Sequence, residues 1–156
     1  MKKTCLYAII FIVVDYISKI LISKLITLNK SITIINKFLY ITYVRNTGAA
    51  FSIFSNYTYV LAIISFLVIV LILYYIYKKP NLKNLEYLAY GLLLGGACGN
   101  LIDRLIYGYV IDFIDVKIFK YDFPVFNLAD SFIVISFIIL IILEIKKDKL
   151  VKKEKK

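Results

Sequence analysis

The stretch from Gly95 to Asp130, GGACGNLIDRLIYGYVIDFIDVKIFKYDFPVFNLAD, decides how this chain is read. It holds Asp103, Asp112, Asp115, Asp122 and Asp130, five of the protein's seven aspartates. It begins inside one long apolar segment and ends just inside the next. An ionised carboxylate in or near hydrocarbon is costly, so acids placed there mark a functional site by default.

The surrounding chain is apolar enough to make that hydrocarbon a membrane. Of 156 residues, 62% are hydrophobic, and the mean hydropathy is +0.83. These values exclude a soluble globule and divide the chain into four spans of about 20 residues each. The net charge of +10 sits in short clusters flanking the spans, without a basic face interleaved with aromatics, so a nucleic-acid partner is excluded. Cys5 and Cys98 lie in different apolar segments and suggest no disulfide framework. There is no histidine, which removes Ser/His and Cys/His catalysis and leaves zinc only carboxylate ligands. No metal or cofactor is expected. The chemistry must use carboxylates, hydroxyls, amides or lysine.

Upstream of the acidic stretch, the third span runs from about Leu85 to Ile106. Gly91, Gly95, Gly96, Ala97 and Gly99 give it a small-residue face suited to close helix packing. Asn100, Asp103 and Arg104 follow at i, i+3 and i+4. Tyr57 to Tyr77 is the second span, featureless apart from interfacial aromatics at its ends. The first span, about Thr4 to Leu28, is too long and too charged for a cleaved signal peptide. Its Asp15 and Lys19 share a helix face at i,i+4 and read as a buried structural ion pair. Between the first two spans, SITIINKFLYITYV (31–44) favours short β-strands. Arg45-Asn46-Thr47-Gly48-Ala49-Ala50-Phe51-Ser52 then breaks the strand and, through Gly-Ala-Ala, admits another backbone or a ligand.

Downstream, Asp112, Asp115 and Asp122 fall in a loop of roughly 20 residues. Phe123-Pro124 stops any extended structure and introduces the last span, about Val125 to Ile145. At 1.5 Å per residue, Asp130 is about 7 Å into that helix. The tail from Lys146 to Lys156 reads as a solvated, disordered basic run. The N-terminal end, the 78–83 turn and the tail carry 12 lysines, against five cations in the two opposite loops. Both termini are therefore expected in the cytoplasm, with Asn46, Asp112 and Asp130 near the outer surface.

Two carboxylates in a partly dry site cannot both ionise cheaply, so one holds a proton while the other is charged. Such a pair can activate water against a peptide carbonyl without a metal, and it titrates as a unit. Asp130 is the strongest single candidate, lying in a span with no basic neighbour in sequence. Asp112 sits in an apolar patch, Val110-Ile111-Asp112-Phe113-Ile114, which would raise its pKa if buried. Spacing alone leaves Asp112–Asp130 and Asp103–Asp130 equally open.

Five segments in order, Asp15-Tyr16-Ile17-Ser18-Lys19, Arg45 to Ser52, Gly99-Asn100-Leu101-Ile102-Asp103-Arg104, Val110-Ile111-Asp112-Phe113 and Phe126-Asn127-Leu128-Ala129-Asp130, resemble the signature boxes of lipoprotein signal peptidase (signal peptidase II). The resemblance spans the chain except its basic tail. It implies an all-α polytopic membrane protein, with four transmembrane helices and a small extracytoplasmic β-structure between helices 1 and 2. It also implies a single peptidase domain over residues 1–145, followed by a cytoplasmic tail over 146–156. The implied activity is an aspartyl endopeptidase of the bacterial cytoplasmic membrane, which cuts prolipoproteins just before a diacylglyceryl-modified cysteine. By motif, the dyad is Asp112 with Asp130. Asn46, Gly48, Asn100, Asp103, Arg104 and Asn127 bind substrate and fix the carboxylates, with Asp15 and Lys19 in support. Implied partners are prolipoprotein substrates and membrane lipids, with the protein a monomer inhibited by globomycin-type cyclic peptides. The small-residue face of the third helix is then available to the substrate's signal helix.

Three other classes fit the composition. A proton-coupled transporter would use intramembrane acids as a relay, but needs polar groups across the full depth. An assembly factor would tolerate Asp130→Asn. An acyltransferase would want a His or Cys nucleophile at the interface.

Overall fold

The computed structural model describes residues 1–48, 54, 57–79, 81–118 and 121–154. The reading of Ala49 and Ala50 as a close-approach surface lies outside them. Four long helices form: α1 (Lys2–Leu25), α2 (Thr58–Lys78), α3 (Asn84–Tyr107) and α4 (Leu128–Glu154). Each is long and apolar enough to cross a bilayer. Their outward faces expose large apolar side chains such as Leu6, Ile63, Leu71 and Phe137, the arrangement expected when the solvent is lipid.

Helix α3 is the hub, packed against α1, α2 and α4. Its glycines make this possible. A Cβ at Gly91 or Gly95 would collide with Tyr7 or Phe11 of α1, and one at Gly96 with the Ala129 carbonyl of α4. A Cβ at Gly99 would lie 2.6 Å from an Asp15 carboxylate oxygen. The expected approach path for a substrate helix is therefore filled by the protein's own helices. Helix α2 is less featureless than its sequence suggests, because Ala62, Ile69 and Ile76 recur every seven residues as a buried stripe. Ile69 and Ile76 pack into a core with Tyr90, Leu93 and Leu94, and Cys98 fills space at its edge.

At one end of the bundle lies an antiparallel sheet in the order β1-β2-β3-β4, from β1 (Ser31–Ile35), β2 (Leu39–Asn46), β3 (Val110–Ile118) and β4 (Tyr121–Asp122). The segment after α3 is thus no loop, and half the sheet comes from outside the connection between helices 1 and 2. The reason is composition: Val110, Ile111, Ile114, Val116 and Ile118 are β-branched and outweigh the acids between them. Extended pairing also continues past Pro124, because Phe126 exchanges backbone hydrogen bonds with Ile114 at 2.7 and 3.0 Å. Proline lacks only its own donor, and here none is required.

Helix α4 accordingly starts at Leu128, not Val125, which makes Asp130 its third residue, about 3 Å from its start. At the other end α4 continues to Glu154, so the basic segment is helical where disorder was expected. Lys and Glu are good helix formers, and Lys147 pairs with Glu144 at 3.3 Å.

The close packing at Gly96 makes a direct prediction. Gly96→Val should lower the detergent-state unfolding midpoint by the equivalent of about 1–3 kcal/mol. Gly108→Ala, in open space but at φ 75°, should cost about 1 kcal/mol through backbone strain alone.

Candidate active site

The site is assembled where α1, α3, the sheet and the start of α4 converge. Its foundation is Lys19, whose Nζ lies 2.7 Å from Asp15 Oδ2 and 3.0 Å from Asp103 Oδ2. Nζ also donates to Asn100 Oδ1 at 3.0 Å. All three ionic side chains are about 1% exposed. Asp15 uses its other oxygen to accept the Ala129 N–H at 2.9 Å, and Asp103 accepts the Ile111 N–H at 3.1 Å. One ammonium thus ties α1, α3, β3 and α4 together.

On this foundation stand two further carboxylates. Asn127, immediately before α4, and Asp130 cap each other: the Asp130 N–H donates to Asn127 Oδ1 at 3.0 Å, and the Asn127 N–H donates to Asp130 Oδ2 at 3.2 Å. This is the reciprocal arrangement of a capping box. Asp130 Oδ1 accepts Asn100 Nδ2 at 2.7 Å. Asp112, on β3, accepts Asn127 Nδ2 at 2.7 Å and Asn46 Nδ2 at 2.9 Å. Gly48 N–H in turn holds Asn46 Oδ1 at 2.9 Å. Arg104 donates to the carbonyls of Asn100 and Gly48, both at 3.3 Å, and its Nε is buried without a hydrogen-bond partner.

Asp112 and Asp130 line the same cavity, of 530 Å³. Asn46, Asn100 and Arg104 share its polar wall, while residues 123–126 and Ile133 to Ile135 form an apolar one. Burial pushes the Asp112 carboxyl up to about 7, with the charge of Asp130 adding to the rise and the amides of Asn46 and Asn127 opposing it. One acid therefore holds a proton near neutral pH beside a second carboxylate. That is the electrostatic condition for acid–base work on water.

The residues that the resemblance implies for the site all belong to this assembly, in two tiers. Asp112, Asp130, Asn46, Asn100 and Arg104 face the cavity, and Asn127 joins the two acids. Asp15, Lys19 and Asp103 lie beneath, so Asp103 does not share the cavity with Asp130. Asp115 is excluded: it accepts the Thr42 hydroxyl at 2.6 Å within the sheet. The backbone donors of Ile111 and Ala129 escaped sequence reasoning, though Asn-x-x-Asp ahead of an apolar run carries the cap's signal. Among the described residues no group of three or more His, Cys, Asp or Glu is placed to hold a metal.

Residues 7–146 match the family model described as signal peptidase (SPase) II. The chain belongs to the signal peptidase II family. The lipoprotein signal peptidase of Staphylococcus carnosus (strain TM300) is 42% identical over 139 residues, covering 89% of this chain and 87% of that protein. That of Staphylococcus aureus (strain JH9) is 40% identical over 150 residues, covering 96% and 91%. A bacterial membrane enzyme solved in meso at 2.3 Å superposes with a TM-score of 0.86 at 36% identity, over 95% of this chain and 90% of that one. A second, solved at 1.9 Å, gives 0.83 at 37% identity, over 94% of each chain. Signal peptidase II is an aspartic-type membrane protease, and this member is a multi-pass bacterial membrane protein.

Removing the central cation of this signal peptidase II leaves two carboxylates buried without a counter-charge. Lys19→Met should therefore destabilise the fold by about 3–5 kcal/mol, read as a lowered unfolding midpoint in detergent. Lys24→Met, on the exposed end of the same helix, should leave the midpoint within about 0.5 kcal/mol of wild type.

Proposed function

We propose that this protein is a membrane aspartyl endopeptidase that removes the signal peptide from diacylglyceryl-modified prolipoproteins, cutting just before the lipidated cysteine. The observation that carries the reading is the pairing of Asp112 and Asp130 through Asn127 at the polar end of a mainly apolar cavity. A substrate with a lipid beside its scissile bond needs both a polar patch for the peptide and an apolar wall for the lipid.

In the proposed mechanism the proton sits on Asp112 and Asp130 is the base. Asp130 takes a proton from water as the water oxygen attacks the scissile carbonyl carbon, and Asp112 gives its proton to the carbonyl oxygen. Collapse of the tetrahedral intermediate breaks the C–N bond: the proton held by Asp130 passes to the departing cysteine nitrogen, and a hydroxyl of the gem-diol returns its proton to Asp112 as the carboxyl group forms. Arg104 and the asparagine amides supply donors for the substrate backbone. Asp15, Lys19 and Asp103 act through these groups as positioning residues.

The lysine distribution supports cytoplasmic termini and a site near the outer face. Residues 1–145 then form one peptidase domain and 146–156 a basic cytoplasmic extension. The enzyme acts as a monomer among membrane lipids and is blocked by globomycin-type cyclic peptides. The buried polar residues of the described chain cluster at one end of the bundle apart from Thr4 and Ser136, which argues against a proton relay through the membrane.

The test is cleavage of a diacylglyceryl-modified prolipoprotein by purified protein in detergent. Asp112→Asn and Asp130→Asn should each lower turnover by roughly 10²–10⁴-fold with binding retained. Turnover surviving in Asp112→Asn but lost in a folded, substrate-binding Asp103→Asn would reassign the partner. Wild-type protein that cleaves nothing would sink the peptidase reading.

The raised Asp112 pKa fixes the sign of the pH dependence. Turnover should fall as pH rises through about 7, because the pair then loses the proton it must donate. Stability should follow the same sense. The folded protein holds this proton up to about 7 and the unfolded chain only to 3.8, so unfolding becomes easier between those values. Asp112→Asn should flatten that slope.

A further inference from the structure

A second cavity, of 240 Å³, opens at the same end of the bundle and shares no residue with the first. Tyr16, Tyr43, Tyr107 and Tyr109 line it together with Ser23 and Arg45. Lys19 and Asp103 also contribute to its wall, but Lys19 is already met by Asp15 at 2.7 Å and by Asp103 at 3.0 Å. Among the described residues, Arg45 is the lining cation that no carboxylate meets.

Arg45 is exposed, yet it is held in place. Its Nε donates to the Tyr43 hydroxyl at 3.2 Å. Its guanidinium carbon lies 4.7 Å from the centre of the Tyr109 ring and 5.9 Å from that of Tyr43. Tyr107 and Tyr109 stack with centroids 5.8 Å apart. Among the described residues Arg45 forms no ion pair, and it lies outside the cavity of Asp112 and Asp130. An arginine stacked on tyrosines with its outer nitrogens uncommitted presents a planar fork of donors, the geometry that matches phosphate oxygens. The cavity also lies where α1 and α3 end, and tyrosines at the ends of spans mark the level of lipid headgroups.

We propose that this cavity binds the phosphate of an anionic phospholipid headgroup, with Arg45 as its principal ligand and the surrounding tyrosine hydroxyls as secondary donors. The site is a membrane-lipid site separate from the peptidase cavity, and it anchors the sheet to the leaflet it faces.

The experiment is native mass spectrometry of the full chain in detergent, titrated with dioleoyl phosphatidylglycerol and with dioleoylglycerol, which has the same acyl chains and no phosphate. Wild type should retain phosphatidylglycerol about tenfold better than dioleoylglycerol. Arg45→Gln should abolish that preference. Ser23→Glu, which places a carboxylate on the exposed rim without touching Arg45, should abolish it independently, so the result does not hang on one variant's folding. Equal retention of the two lipids by wild type, or an undiminished preference in both variants, overturns the proposal. Displacement of phosphatidylglycerol by inorganic phosphate at millimolar concentration overturns the lipid source and assigns the pocket to free phosphate.

Discussion

The ammonium of Lys19 is the contact on which the remaining structure depends. A lysine at this depth in a membrane helix is tolerable only if its charge is met, and here Asp15 and Asp103 meet it from two helices. Two anions around one cation leave an excess negative charge. Backbone donors of Ala129 and Ile111 absorb it, and those two residues are the ones that set the start of α4 and the position of β3. The ion cluster therefore acts as a jig. Satisfying its hydrogen bonds forces the two acid-bearing segments, remote in sequence, to the same place.

The packing around the cluster inverts that of a soluble protein. The largest fully buried side chains are Lys19, Asn127, Thr4, Asp15, Asp103 and Ser136, all polar, while leucines and isoleucines cover the outside. Lipid offers no hydrophobic drive for helices to associate, so association relies on close backbone approach and on polar contacts. Gly91, Gly95, Gly96 and Gly99 supply the first along α3 and the ion cluster supplies the second at one end. The apolar stripe of α2 adds a peripheral helix without polar contacts of this kind.

The number of spans and the identity of the polar cluster were legible in the sequence because each rests on a strong local signal. Long apolar runs define helices, and acids inside them stand out. The acids of Val110 to Ile118 obscured a strand, since alternation is hard to see when carboxylates interrupt β-branched residues and burial is set by other segments. Spacing could not choose between Asp103 and Asp112, because the choice depends on which carboxylate Lys19 has already taken. The family boxes favour Asp112 by resemblance, and in the structure it is Asp112, not Asp103, that lines the cavity with Asp130. The start of α4 was misjudged by three residues, with Pro124 read as a helix entry while Asn127 is the cap. The helical course of the basic end was also missed, because charge density was weighed above the helix propensity of Lys and Glu.

The start of α4 is fixed in three ways, by Asp15 on the Ala129 N–H, by Gly96 against the Ala129 carbonyl and by Asn100 on Asp130. Toward the far end, an exposed Lys147–Glu144 pair at 3.3 Å precedes the last helical residues, which run to Glu154. A bilayer thicker or thinner than the apolar length of α4 must be accommodated by tilt or by bending of flanking groups. Tilt at the lysine-rich terminus would leave the contacts at the start of α4 untouched, and with them the spacing of the carboxylates.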